Sequence, residues 1–473
     1  MGSLGGDISS LFINPAGLGL YKSRELVITP GMGFNNNHND FRGTEAGSGL
    51  TRFQLGTCGF VWGKPGQTPS SAWKGGAWSL AVTKLADYNN HSYYQGLNNY
   101  SSYSEQYAEE ASQSGKSIDD ILNDPNYAFG TSLALDTYLV DTFSTAGGLQ
   151  FMGLPELLLA KNISLLQQKT VDSKGGLSEV ALGYGAAYKE KLYIGGNLGF
   201  PIIYANSTTT FTESASSPDP AGQFASSQLV ENRITKGYGV YLRLGAIYKP
   251  DNNIRLGLAL TSPSLIGITD SRSDTMVTNT GSYAGLRTAG STTFLGGQDA
   301  SVNYNVHTPW KALVSASYMF NAVEDVRQQR GFVTADLEYI RYPGTSFHAA
   351  SGEGDNSAEN AYHAALNGAI KQLYKGALNV KVGGELKLNT FLARAGVGLY
   401  GNPYQASTDL KAGKTVLSAG LGYRNFGLFV DLTYAYSIQK DVDFPYLLAD
   451  KDNTYANLDN RRGSLLLTFG LKF

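Results

Sequence analysis

One cysteine in 473 residues, Cys58, leaves no partner for an intrachain disulfide. No run of 18 or more apolar residues occurs, so no helix of this chain is expected to cross a bilayer. Charged residues make up only 16% of the chain, and a net charge of −2 argues against nucleic acid as a partner. The five histidines are His38, His91, His307, His348 and His363. Four of them fall in predicted loops, none has ligand spacing, and no metal-binding cluster emerges. No Ser-His-Asp set can be placed and no phosphate-binding glycine loop is present, so nothing points to an enzyme or calls for a cofactor. No Pro/Ser-rich linker or shift in composition divides the chain, and a single domain is expected despite the length. The start also lacks a basic stretch followed by an apolar one, so a secretory leader is expected to end near Met1 or to include it.

What is present is 57 Gly, 30 Tyr and a continuous rhythm of alternating strands. Strands are predicted near 24–35, 50–63, 75–87, 177–189, 191–205, 232–249, 253–268, 299–320, 329–342, 375–388, 391–401, 413–424, 426–440 and 460–473. Every second connection is mostly tight, as at Lys189-Glu190-Lys191, Lys249 to Asn253, Leu388-Asn389-Thr390 and Arg424-Asn425. The others are long and polar, at 88–176, 206–231, 269–298, 343–374 and 441–459. Short turns on one rim and long loops on the other are the signature of an outer-membrane barrel. The expected fold is therefore all-β: a transmembrane antiparallel barrel over 24–473, with a segment at 1–23 inside it. Such a barrel sits in the outer membrane of a Gram-negative bacterium, among lipid and lipopolysaccharide, with both termini periplasmic.

Period-two alternation assigns the faces. On the last strand Phe473, Leu471, Phe469, Leu467 and Leu465 face lipid, while Lys472, Gly470, Thr468, Leu466 and Ser464 face the lumen. On the strand before, Phe426, Leu428, Val430, Leu432 and Tyr434 face out. The same alternation puts Arg243, Arg255, Lys311, Asp336, Glu338, Lys381, Glu385, Lys387, Arg394 and Asp431 in the lumen. Both signs occur in similar number. A filled lumen requires such charges to pair, because buried unpaired charge is costly, so a plugged barrel is expected rather than an open porin.

The plug is sought before the first strand. Residues 5–20 read GGDISSLFINPAGLGL, small, glycine-rich and apolar, with Pro15 after Asn14 marking a turn. With Asp7, Asn14, Pro15, Ala16, Gly17 and Leu18, this segment resembles the hatch of the long-chain fatty-acid transporter family of outer-membrane proteins, the FadL/TodX type. Arg24-Glu25-Leu26-Val27-Ile28-Thr29-Pro30 is similar to that family's first strand, and Tyr304 to Lys311 to its mid-barrel turn and strand. The resemblance implies a lumen blocked by the hatch, with hydrophobic small molecules captured outside, passed to an apolar pocket beside it and released sideways where the third strand kinks. It places Asp7, Asn14, Pro15, Ala16 and Gly17 in the hatch and Phe12, Ile13, Leu18 and Leu20 at the pocket. Ala86 to Asn90 is the local candidate for the kink.

The connection at 88–176 is too long for a passive tether. Ser117-Ile118-Asp119-Asp120 signals a helix start, and Leu135, Tyr138, Leu139, Phe143, Leu157 and Leu158 recur at helical spacing. These residues either pack as a cap on the barrel mouth or line an extracellular capture groove for apolar solute. A second helix is expected near 356–374, beside the first cap. The tyrosines at 93–94 and 100–107 are candidates for polysaccharide contact. The leading function is uptake of long-chain fatty acids or aromatic hydrocarbons. The rival is a structural docking subunit of a larger outer-membrane protein complex.

Overall fold

The computed structural model describes residues 2–66, 70–145, 148–320, 330–350, 357–406 and 412–473. A closed antiparallel barrel of fourteen strands dominates it. The strands are β1 (Arg24–Ile28 and Pro30–Phe41), β2 (Thr44–Leu55 and Cys58–Pro65), β3 (Trp73–Asp87 and Asn90–Asn98), β4 (Leu165–Tyr188) and β5 (Leu192–Ala215). They continue as β6 (Ser226–Tyr248), β7 (Ile254–Thr261 and Leu265–Asn279), β8 (Ala300–His307 and Lys311–Phe320), β9 (Gly331–Arg341) and β10 (Gly376–Leu388). The series ends with β11 (Phe391–Tyr400), β12 (Lys414–Asn425), β13 (Leu428–Asp443) and β14 (Ala456–Lys472). Glu25 pairs with Lys472 and Phe41 with Ala456, so β1 closes the sheet on β14 and removes its edges.

Alternation sorts the faces. Leu428, Leu432, Tyr434, Leu465, Phe469 and Leu471 are exposed on the outside, whereas Phe429 and Asp431 are buried inside. The tight turns adopt left-handed backbone, as two-residue hairpins require: Lys189 and Glu190 at φ 51° and 54°, Phe426 and Gly427 at φ 45° and 82°. The last of these corrects the expected boundary. β12 runs through Asn425, so Phe426 belongs to the turn, 99% exposed, rather than to the lipid-facing row of β13.

The strands are also longer than their sequence pattern indicated. β4 and β5 each run 24 residues and β6 runs 23, where about ten suffice to cross a bilayer. Much of the loop expected at 88–176, 206–231, 269–298 and 441–459 is therefore strand. The first upper connection is only Arg42-Gly43, between paired Phe41 and Thr44. The physical reason is that beyond the hydrocarbon both faces of a strand are wet. Ser207-Thr208-Thr209-Thr210 keeps the ladder but has no apolar alternation to betray it. His38, His91 and His348 accordingly sit on strands and His363 on a helix, not in loops.

Over the long-loop rim, helices Tyr103–Ser114, Ile118–Leu122, Thr131–Asp136 and Leu154–Ala160 form a cap. Ser117 caps the second helix as its sequence signals, its side chain accepting from the Asp120 amide. The first helix, unforeseen, is opened by a capping box of Ser102 and Glu105. The helix Ser357–Leu373 packs on the short strand Ser346–Ala349 and the turn at 342–344.

Candidate functional site

The segment ahead of β1 lies inside the barrel. A short helix, Ser10–Ile13, is followed by a 3-10 turn, Pro15–Leu20. Asp7 starts the first, its carboxylate accepting from the Ser9 amide at 2.9 Å. Asn14 starts the second, accepting from the Ala16 amide at 3.2 Å, with Pro15 at the first position, where its missing N–H costs nothing. The Asn14 amide also donates to the carbonyls of Gly2 at 2.5 Å, Ala246 at 3.2 Å and Leu258 at 3.3 Å. One buried side chain thus ties the hatch to itself and to two barrel strands. Further ties come from Asn197, donating to the Leu11 carbonyl at 2.7 Å, and from Asp336, accepting from the Gly2 amide at 3.1 Å.

The seat for this turn is a row of small residues at one level of five neighbouring strands: Ala77, Gly185, Gly195, Gly245 and Ala259 are successive ladder partners. A Cβ at Gly195 would lie 2.4 Å from the Pro15 carbonyl oxygen, and one at Gly245 would lie 1.9 Å from Asn14 Oδ1. Here the glycines supply room rather than turn conformation. Each of these strands holds several glycines, and only the register between strands picks out the aligned three, Gly185, Gly195 and Gly245.

Two cavities flank the hatch. On the long-loop side, about 370 Å³ lies against Phe12 and Ile13, with Leu85 from β3 and the charged side chains of β6 to β10 opposite. On the short-turn side, about 520 Å³ lies against Asp7, Ile13 and Leu20, with Arg255, Glu385, Lys387 and Arg394. Leu18 lines neither. It is fully buried among Tyr21, Val27, Val61 and Phe429 and so leaves the predicted pocket. Nor is the pocket simply apolar, because the inward faces of β6 to β10 carry the lumen charges.

Most of those charges pair. Lys381 reaches Glu338 at 3.3 Å, and Arg394 reaches both Glu385 at 2.6 Å and Asp431 at 3.1 Å. Arg243 lies 3.8 Å from Glu179 and donates to the Leu11 carbonyl at 3.2 Å. Asp336 accepts from Ser315 at 2.6 Å as well as from the hatch. Among the described residues the side chains of Lys311 and Arg255 have no hydrogen bond and no close ion pair, although Lys311 feels the charge of Glu338, and the Arg255 Nε is buried.

The wall itself is interrupted. β3 carries a bulge between Lys84 and Ala86 and breaks between Asp87 and Asn90. Beyond the break its upper half pairs with β4, but among the described residues no ladder joins it to the upper half of β2. Asparagines from β1 take over instead: Asn35 donates to the Asn89 carbonyl, Asn37 to His91 at 2.7 Å and Asn39 to Tyr93 at 2.9 Å. A hollow of about 420 Å³ opens beside the break, lined by Phe53, Leu55, Val82, Lys84, Ile202 and Tyr204. Leu85, next in the chain to Lys84 of that hollow, lines the upper cavity.

The cap offers less than the groove reading expected. Leu139 and Leu158 are fully buried and Leu135 nearly so, in a core with Tyr103, Tyr107, Phe211 and Met276. Leu157 and Phe143 pack against that core, and Tyr138 alone of the six is exposed. Burial of Tyr103 and Tyr107 likewise removes them from any polysaccharide contact, as it does Tyr94, packed on Phe41.

No protein-family model matches the chain, and no curated protein matches it. Solved structures match it nearly end to end. The P. putida toluene transporter TodX is 11% identical, with 100% of this chain and 96% of that one covered and a TM-score of 0.54. A Pseudomonas aeruginosa FadL homologue is 12% identical, with 99% and 95% covered and a TM-score of 0.52. The Ralstonia pickettii toluene transporter TbuX is 13% identical, with 100% and 95% covered and a TM-score of 0.50. At these identities the likeness is one of fold: the chain has the FadL/TodX-type barrel that its hatch sequence resembles.

Proposed function

We propose that this barrel stands in an outer membrane, short turns toward the periplasm, and takes up hydrophobic compounds, as a channel rather than an enzyme. The single observation that carries this is the break in β3, which sets an outward hollow beside the cavity at the hatch. A water-filled conduit serves polar solutes. An apolar one is driven by leaving water, roughly 25 cal/mol per Å² of its surface, and a side exit delivers it straight into hydrocarbon. The solute rests on Phe12 and Ile13, passes Leu85 and leaves between β2 and β3. The asparagines of β1 hold the upper half of β3 inward and keep that exit open.

The charged wall narrows the substrate class. Lys311 faces the same cavity as Phe12 and, among the described residues, makes no close ion pair of its own, since Glu338, whose charge it feels, is taken by Lys381 at 3.3 Å, so the site suits an apolar body with an anionic head. That favours a fatty acid over a hydrocarbon. The test is uptake of labelled fatty acid and labelled toluene by cells bearing the wild type, a Leu85→Arg variant or no barrel. Wild type should exceed the empty cells, Leu85→Arg should fall toward them, and Lys311→Gln should depress fatty acid alone. Equal uptake by wild-type and empty cells would instead support the docking-subunit reading, which the exposed Tyr138, Leu149 and Leu286 on the long-loop rim favour.

A further inference from the structure

On the lipid-facing surface, at the short-turn rim, three rows of side chains cross β2 to β6. Trp62, Trp78 and Tyr184 are successive ladder partners in the upper row. Trp73 and Tyr188 pair in the lower one. Between them runs a row of small residues, Gly76 and Ala186, the latter paired with Ile194 and flanked above by Gly196. Small residues walled by aromatic rings leave hollows of about 510 and 630 Å³, which share Trp73, Tyr184 and Ala186. A Cβ at Gly76 would come within 2.7 Å of the Tyr184 hydroxyl, so the glycine lets that ring lie down as a wall. At the open end, Arg24 and Lys64 lie over the Trp62 ring, at 4.8 and 5.6 Å from its centroid. Both are exposed, and among the described residues neither side chain has a hydrogen bond or a carboxylate partner.

An apolar slot at bilayer level needs an apolar chain to fill it. Two unpaired cations at its mouth, held by one indole, need an anion within reach of both. Only an amphiphile supplies the two together. We propose that this surface is a specific binding site for one glycerophospholipid with an anionic headgroup, its acyl chain in the slot and its phosphate between Arg24 and Lys64. The site is separate from the lumen and stands whether or not the barrel transports.

Three of the chain's four tryptophans, Trp62, Trp73 and Trp78, line the slot, so a Trp310→Phe background makes fluorescence a local reporter. The folded barrel is reconstituted in phosphatidylcholine vesicles containing increasing mole fractions of phosphatidylglycerol or phosphatidylcholine brominated on the acyl chain. Half-maximal quenching should need roughly five- to thirtyfold less brominated phosphatidylglycerol, the preference conferred by one to two basic groups at a membrane surface. Arg24→Gln with Lys64→Gln should bring the two lipids together without lowering the quenching plateau. Ala186→Leu should lower the plateau by filling the slot. Equal quenching by the two lipids in the wild type overturns the proposal, and so does a preference that survives loss of both cations. If the double variant does not fold, the wild-type comparison decides alone.

Discussion

Replacing Asn14 by Ala removes four hydrogen bonds: three donations, to the carbonyls of Gly2, Ala246 and Leu258, and one acceptance, from the Ala16 amide. The Ala246 and Leu258 carbonyls belong to sheet ladders and have a second lone pair, so they are weakened rather than orphaned. The Ala16 amide and the Gly2 carbonyl, both inside the plug, lose more. The low-to-middle range for such losses gives about 2 kcal/mol. The barrel ladder is kept, because its strands close on one another through the pairing of β1 with β14. The whole penalty therefore falls on docking of residues 2–23, and 2 kcal/mol raises the undocked population about thirtyfold. Planar-bilayer conductance measures that population directly, since an undocked hatch admits ions to the lumen. Time-averaged conductance should rise by about that factor, while heat-resistant migration of the barrel stays unchanged. Asn197→Ala, losing one bond to the Leu11 carbonyl, should give roughly a fivefold rise, from about 1 kcal/mol. Conductance indistinguishable from wild type in both variants would refute the claim that these asparagines hold the plug.

Leu432→Arg should cost about 2–4 kcal/mol of barrel stability by placing a cation against acyl chains, and Thr433→Arg distinctly less, as read by urea unfolding in vesicles. Glu213, buried in the cap with bonds from Ser102 at 2.5 Å and Gln167 at 2.6 Å, has its carboxyl pushed up to about 7 by burial. Its folded pKa lies above the unfolded one, so its stabilisation is complete below about pH 4.5 and is lost as pH rises through about 7. Protease resistance of the cap should fall over that window, and Glu213→Gln should abolish this part of the slope. Protease added to intact cells should cut within 99–164 and spare the turn at 249–253, and the reverse pattern would invert the topology.

The barrel was legible because hydrocarbon forces period two on every strand it touches, as the last strand shows from Leu465 to Phe473. That force stops at the headgroups, and with it the pattern: the Thr-rich top of β5 and the stretch of β1 from Asn36 to Phe41 carry no sign of strand in the sequence. The hatch turn was legible from Asn14-Pro15, but its seat was not, since the alignment of Gly185, Gly195 and Gly245 depends on register between strands. The cap was read as helical, yet which of its apolar faces were covered turned on partners far away in sequence. Leu139 and Leu158 share a core with Phe211 and Met276, and spacing within the loop contains no trace of those neighbours.

The aligned glycine row also dictates an order of events. The hatch is the first part of the described chain to be made, yet Asn14 bonds to residues 232 and 244 positions downstream, and Gly2 to one 334 downstream. The row exists as a surface only once β4, β5 and β6 have found their mutual register. Contacts of such long sequence separation come late, after the chain between them has been organised. The hatch therefore waits as a free leader while the wall closes around it, and docking is a second transition after barrel closure. Two transitions with separate free energies allow a plug to be loosened by evolution, or by design, without touching the vessel that contains it.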